Sequence, residues 1–166
     1  MAKLSLLRVD SRLIHGQVVT GWVKVTQAKK ILIIDDWSAN DILSAQIYTM
    51  AAPPGVSVEV MSVNDAVEAW NKDQFGKIGP ILILFRDIKS ACQAYEQGLK
   101  YEKLQIGGIP NGPGRVTVEG TIALNKDDAI LLESLSKANV NITFQLTTDT
   151  KSKNWASVKS KFFSKI

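Results

Sequence analysis

Short apolar runs recur along the chain, each followed by a stretch with helical spacing: LSLLRV, ILIID, VSVEVM, ILILF, LQIG, TIAL and NITFQL. That alternation predicts an α/β fold with a mainly parallel sheet of about seven strands. Ile31 to Ile34 and Ile81 to Phe85 are apolar at consecutive positions instead of alternating ones. Strands of that kind are covered on both faces, so these two are expected at the centre of a sheet with helices on either side.

Helix boundaries follow from local chemistry. Ser38 or Asn40 caps a helix that Pro53 and Pro54 end, and Asn64 or Asp65 opens the segment bearing Val67 and Trp70. Gly98 stops the helix through CQAYEQ, and Asn125 with Asp127 and Asp128 starts one that runs to Lys137. In the last segment Trp155, Val158 and Phe162, with Phe163 beside them, form a stripe that docks on the sheet. GGIPNGPG, Gly107 to Gly114, holds four glycines and two prolines and reads as a mobile surface loop. It lacks the lysine ending of a phosphate-cradling loop and the spacing of a dinucleotide fingerprint.

The 166 residues are 45% hydrophobic and 22% charged, enough apolar material for one domain over 1–166. No apolar run approaches the roughly 18 residues needed to span a bilayer. Arg8 and Asp10 interrupt the N-terminal stretch before a signal-peptide core forms, so a cytoplasmic protein is expected. Cys92 stands alone in KSACQAY and reads as a small buried filler. The formal net charge is +4, with Lys151, Lys153, Lys159, Lys161 and Lys165 crowding the C-terminal end. Those lysines read first as the solvated face of a helix. A basic nucleic-acid-binding module using them and the neighbouring aromatics is the alternative.

RVDSRLIHG, from Arg8 to Gly16, holds the one histidine, His15. Residues 4–9 read as a strand and Gln17 to Lys24 as a helix, which puts His15 on the loop between them. Ligands of parallel sheets bind beyond the carboxyl ends of strands, where a helix N-terminus offers unpaired N–H groups to an anion. Gly16 and Gln17 are placed to present such groups. Arg8 and Arg12 add forked donors suited to phosphate oxygens. Asp10 then serves to hold an arginine or an imidazole N–H in place. The stretch thus has the parts of a site in which His15 accepts a phosphoryl group. No second histidine or spaced cysteine completes a metal site, so neither a metal site nor a cofactor is implied. A serine hydrolase lacks its nucleophile elbow, and a histidine phosphatase lacks its Arg-His-Gly triplet because Ile14 precedes His15.

RVDSRLIHGQVVTGW resembles the active-site segment of the IIB components of the mannose/fructose/sorbose family of the bacterial phosphoenolpyruvate-dependent sugar phosphotransferase system. Arg8, Val9, Asp10, Arg12, Leu13, Ile14, His15, Gly16, Gln17 and Val18 match the family pattern, while Ser11 stands where the family often has Asp. The likeness continues in IIDDWSAND, AAPPGV, LILFRD and IGGI. The resemblance implies an open, mostly parallel sheet with His15 on the loop after the first strand. It implies a relay in which a IIA phosphohistidine donates to Nδ1 of His15, which passes the group to a sugar bound by membrane components IIC and IID. Arg12 is then expected to steady the phosphoryl group, with Asp10 and Arg8 as supports. Lys24, Arg86 and the Gly107–Gly114 loop are further candidates for lining the site or meeting partners. Mannose, fructose, sorbose and N-acetylgalactosamine all remain open as the sugar, as does a homo-oligomer against a monomer.

Overall fold

The computed structural model describes residues 3–166; Met1 and Ala2, part of the N-terminal stretch read above as carrying no signal core, lie outside them. Seven strands form one sheet: β1 (Leu4–Val9), β2 (Lys30–Ile34), β3 (Ser57–Met61), β4 (Ile81–Phe85), β5 (Lys103–Ile106), β8 (Asn141–Phe144) and β9 (Lys153–Asn154). They lie in the order β3-β2-β4-β1-β5-β8-β9. All the pairings are parallel except β8 with β9. The remaining two strands, β6 (Val116–Glu119) and β7 (Ile122–Leu124), make a separate antiparallel hairpin.

The sheet is covered on both faces, and the consecutive apolar residues explain how. Ile31, Ile33, Leu82 and Leu84 face one core with Leu13, Ile14, Val18, Trp22 and Val23. Their neighbours Leu32, Ile34, Ile81, Ile83 and Phe85 face the other, because successive strand residues point to opposite sides. The first core is roofed by a π-helical turn (Val18–Trp22) and α1 (Val23–Thr26), with α2 (Asp36–Asn40) and α3 (Ile42–Met50) following β2. The second lies under α4 (Val63–Asp73), α5 (Ile88–Glu96), α6 (Lys126–Lys137) and α7 (Trp155–Phe162).

Sequence expectations meet this structure with specific differences. The count of seven strands is right, but TIAL belongs to the hairpin, and the two-residue β9 takes its place at the sheet edge. The helix expected from Ser38 or Asn40 is two helices, capped by Asp35 and Asp41, whose side chains accept from the amides of Ser38 and Ser44. Likewise α4 is capped by Ser62, two residues before Asn64 and three before Asp65. Asn125 caps α6 with the reciprocal bond of a capping box, and that helix ends at Lys137 as expected. Gly107, Gly108 and Ile109 are buried, so only the second half of GGIPNGPG is a surface loop. Cys92 is buried, and desolvation pushes its thiol up to about 12, as suits a packing residue.

Candidate functional site

Register alone gathers the charged residues. Val9 and Ile34 both pair with Phe85 across the sheet, so the next residues, Asp10, Asp35 and Arg86, form a row along the carboxyl edge. The loop after β1 is clamped there on both sides. The Asp10 amide donates to the Phe85 carbonyl at 2.9 Å, the Ser11 amide to Gly108 at 2.8 Å, and the Gly107 amide to Val9 at 2.7 Å.

Arg8 and Asp10 are wholly buried, with their side chains 3.1 Å apart. Beyond that contact, Arg8 gives Nη1 to Gln105 Oε1 (2.5 Å) and the Gln145 carbonyl (2.8 Å), and Nη2 to the Leu146 carbonyl (3.0 Å). Its guanidinium lies 4.9 Å from the centre of the Trp22 ring. Burial pulls its pKa below the ordinary value, and the Asp10 carboxylate opposes that loss. The expectation that Arg8 binds phosphate is therefore corrected: its terminal nitrogens are spent inside the protein, and it supports the loop from beneath. Gly107 is what permits this. A Cβ there would stand 2.2 Å from Arg8 Nη2.

Asp10 binds two arginines at once. Oδ2 accepts from Arg8 and from the Gly108 amide (3.4 Å), while Oδ1 accepts from the amide and Nε of Arg12, each at 3.3 Å. The Arg12 side chain is 51% exposed, and no hydrogen bond among the described residues uses its two terminal nitrogens. Asp10 thus performs the first of its two expected tasks and not the second, since the imidazole is held elsewhere. His15 Nδ1 lies 2.8 Å from the Leu13 carbonyl, and its Nε2 is buried without a partner among the described residues. Leu13 is wholly buried at φ +55°, a left-handed conformation costing a leucine on the order of 1–3 kcal/mol.

Helical geometry begins at Gly16, so the amides of Gly16 and Gln17 stand in the first turn, both residues being exposed. Gln17 also borders a cavity of about 240 Å³ with Thr20, Thr147 and Thr148, residues the sequence reading did not single out. Gln105 and Gln145 were missed as well. Neither has a local signal, because their roles depend on strands that lie far from Arg8 in sequence. Arg86 is at the same edge but is tied to Asp35, with Nε and Nη2 at 2.9 and 2.8 Å from Oδ2. Lys24 is not at this edge. It borders a cavity with Lys29, Gly55 and Pro80 at the amino ends of the strands, because α1 has by then carried the chain across the sheet.

A family model described as "PTS system sorbose subfamily IIB component" matches residues 4–165. This chain belongs to that family. PTS IIB components are phosphotransferases, and they work with IIA and membrane IIC and IID components. Among the relatives, the sorbose-specific EIIB component of Klebsiella pneumoniae is 32% identical over 152 residues, covering 92% of each chain. The mannose-specific EIIAB component of Escherichia coli is 28% identical over 90% of this chain but only 46% of its own length. In three dimensions, the crystal structure of manxB from Thermoanaerobacter tengcongensis superposes with a TM-score of 0.90 at 36% identity, covering 98% of both chains.

The nucleic-acid alternative finds no support in this family or in the geometry. Trp155 is buried and stacked on Phe144, leaving no aromatic platform there. Lys153 pairs with Glu119, and Lys159 with Glu133. Among the described residues no helix is long and apolar enough to cross a membrane.

Proposed function

We propose that this chain carries a phosphoryl group on His15 Nδ1, taking it from the phosphohistidine of a IIA partner. The group then passes to a sugar entering through membrane IIC and IID components, with the chain working at the cytoplasmic face. The observation that carries this reading is the Asp10–Arg12 pair three residues before His15. Its Nε bond orients the guanidinium while both terminal nitrogens stay available to the transferring oxygens. Such preoriented charge is what phosphoryl transfer asks of a protein, since the reaction needs positioning and charge stabilisation more than new covalent chemistry. The first-turn amides of Gly16 and Gln17 add donors on the same loop.

The test is mass measurement after incubation with phosphoenolpyruvate and the upstream phosphotransferase proteins. One acid-labile phosphate is expected on the wild type and none on His15→Ala. Phosphate on another residue, or none at all with a competent donor, overturns the reading.

A further inference from the structure

In the structure His15 is not ready to react. A carbonyl oxygen has no hydrogen to give, so the 2.8 Å contact between Nδ1 and the Leu13 carbonyl requires that Nδ1 carry the hydrogen and donate it. The ring lone pair is then on Nε2, which is buried and has no partner among the described residues. One nitrogen carries the hydrogen and is tied to the carbonyl; the other has its lone pair but is covered.

The carbonyl is aimed at the ring by the backbone of Leu13. Its φ of +55° turns the following peptide plane away from the direction an extended leucine would give. The conformation is held by the Leu13 amide, which donates to the Asp10 carbonyl at 2.9 Å, and by complete burial of the leucine side chain. On the other side of His15, a Cβ on Gly16 would meet nothing within 4 Å, and the helix continues through a π-helical turn at Val18–Trp22. The ring therefore hangs between a fixed acceptor and an open, irregular helix start.

We propose that Leu13 is a positioning residue whose carbonyl latches the empty His15 ring, and that contact with the IIA partner, whether or not it carries a phosphoryl group, swings the ring out. This rests on the functional reading above, under which Nδ1 is the acceptor. On release, Nδ1 gives its hydrogen to water and Nε2 takes one up, so no net proton is consumed. The Nδ1 lone pair then forms the N–P bond as the donor's own N–P bond breaks and returns its electron pair to the donor nitrogen. With a phosphoryl group on Nδ1, no hydrogen remains for the Leu13 carbonyl, and anionic oxygens would face it. The loaded ring cannot return to the latch, so loaded and empty carriers present different surfaces.

Having one histidine makes the test direct. The full chain, labelled with 15N in His15, is read by long-range proton–nitrogen correlation at a pH where the ring is neutral. The expected free protein carries its ring hydrogen on Nδ1. Adding an unphosphorylated IIA domain of the sorbose/mannose class moves the hydrogen to Nε2, and the phosphorylated protein shows phosphorus on Nδ1. A free protein with its hydrogen on Nε2 overturns the latch, as does phosphorus on Nε2. Because the free-protein measurement uses no donor, it decides the latch separately from the mass measurement that decides the function.

Discussion

Arg8 and Arg12 are four residues apart and do opposite work because one is covered and the other is not. Both are bound by the same carboxylate. Arg12 keeps its terminal nitrogens only because Nε alone makes the bond to Asp10. A lysine at that position has a single nitrogen and cannot hold Asp10 and a phosphoryl group together. Arg12→Lys is therefore expected to lower the single-turnover transfer rate by about 100-fold, the scale of losing one transition-state donor. Its unfolding free energy from urea titration should stay within about 0.5 kcal/mol of wild type, since the site is half exposed. Gly107→Ala tests the opposite partner. The added methyl overlaps the Arg8 guanidinium, and displacing it disturbs a buried ion pair whose disruption costs about 3–5 kcal/mol. Chemical denaturation should show a loss of that size, with transfer impaired as Asp10 loses its support. Wild-type stability in this variant would mean that Arg8 is not anchored against Gly107.

Among the elements, α2 depends on the first residue after β2. Asp35 caps that helix through Ser38 and also receives Arg86 from the end of β4. Burial alone pushes the Asp35 carboxyl up, but the hydrogen bonds from Arg86 and Ser38 outweigh it and leave its pKa below the ordinary value. A carboxyl depressed in the folded state stabilises above its unfolded pKa, about 3.9, and loses that contribution as pH falls through the folded value. Asp35→Asn should thus cost about 2 kcal/mol at neutral pH. Denaturant titrations should show the gap narrowing below about pH 4, and a pH-independent gap would contradict the charge as its origin. This cap also marks the limit of sequence reading. Ser38 and Asn40 have the right chemistry for capping, but the strand ends one residue before Asp35, and the aspartate reaches the free amides first. The central strands were legible because apolar runs without alternation have few alternatives. The hairpin was not, because TIAL has the same local pattern as a sheet strand. Its separation depends on Ile109 bridging to Ile122, a contact outside any local window. At the site, the placement of His15 and Arg12 on a strand-to-helix loop was legible. Arg8 was misplaced, because whether an arginine faces water is decided by Gln105, Gln145 and Trp22, which reach it only in the fold.

Across the whole molecule, charge is unevenly engaged. The excess of 20 basic over 16 acidic residues leaves +4, while several of those charges are neutralised internally, as in the pairs of Lys30 with Glu59 and Arg115 with Asp128. β9 runs back along β8, with Lys153 paired to Phe144. Lys151 therefore stands on the loop beyond the carboxyl end of β8, at the edge that carries His15. Arg12 and Lys151 add positive charge beside the loop that carries His15, and Asp149, with Asp36 and Asp87 after β2 and β4, offsets it along the edge. A phosphohistidine donor is anionic and this chain carries a net +4, so approach of the two is favoured at long range, and complementary charge of this kind acts chiefly on encounter rate. The contact of Arg12 with a bound phosphoryl group is short-range and survives salt. Raising ionic strength from about 0.1 to about 1 M shrinks the Debye length from about 10 to about 3 Å. The second-order rate of phosphoryl transfer from the donor protein should then fall by about tenfold, with the first-order rate within the complex unchanged. Stopped-flow measurement over a donor concentration series separates the two rates. A second-order rate that is flat in salt would remove steering from the account, and a first-order rate that falls would place the salt-sensitive charge at the phosphoryl group itself.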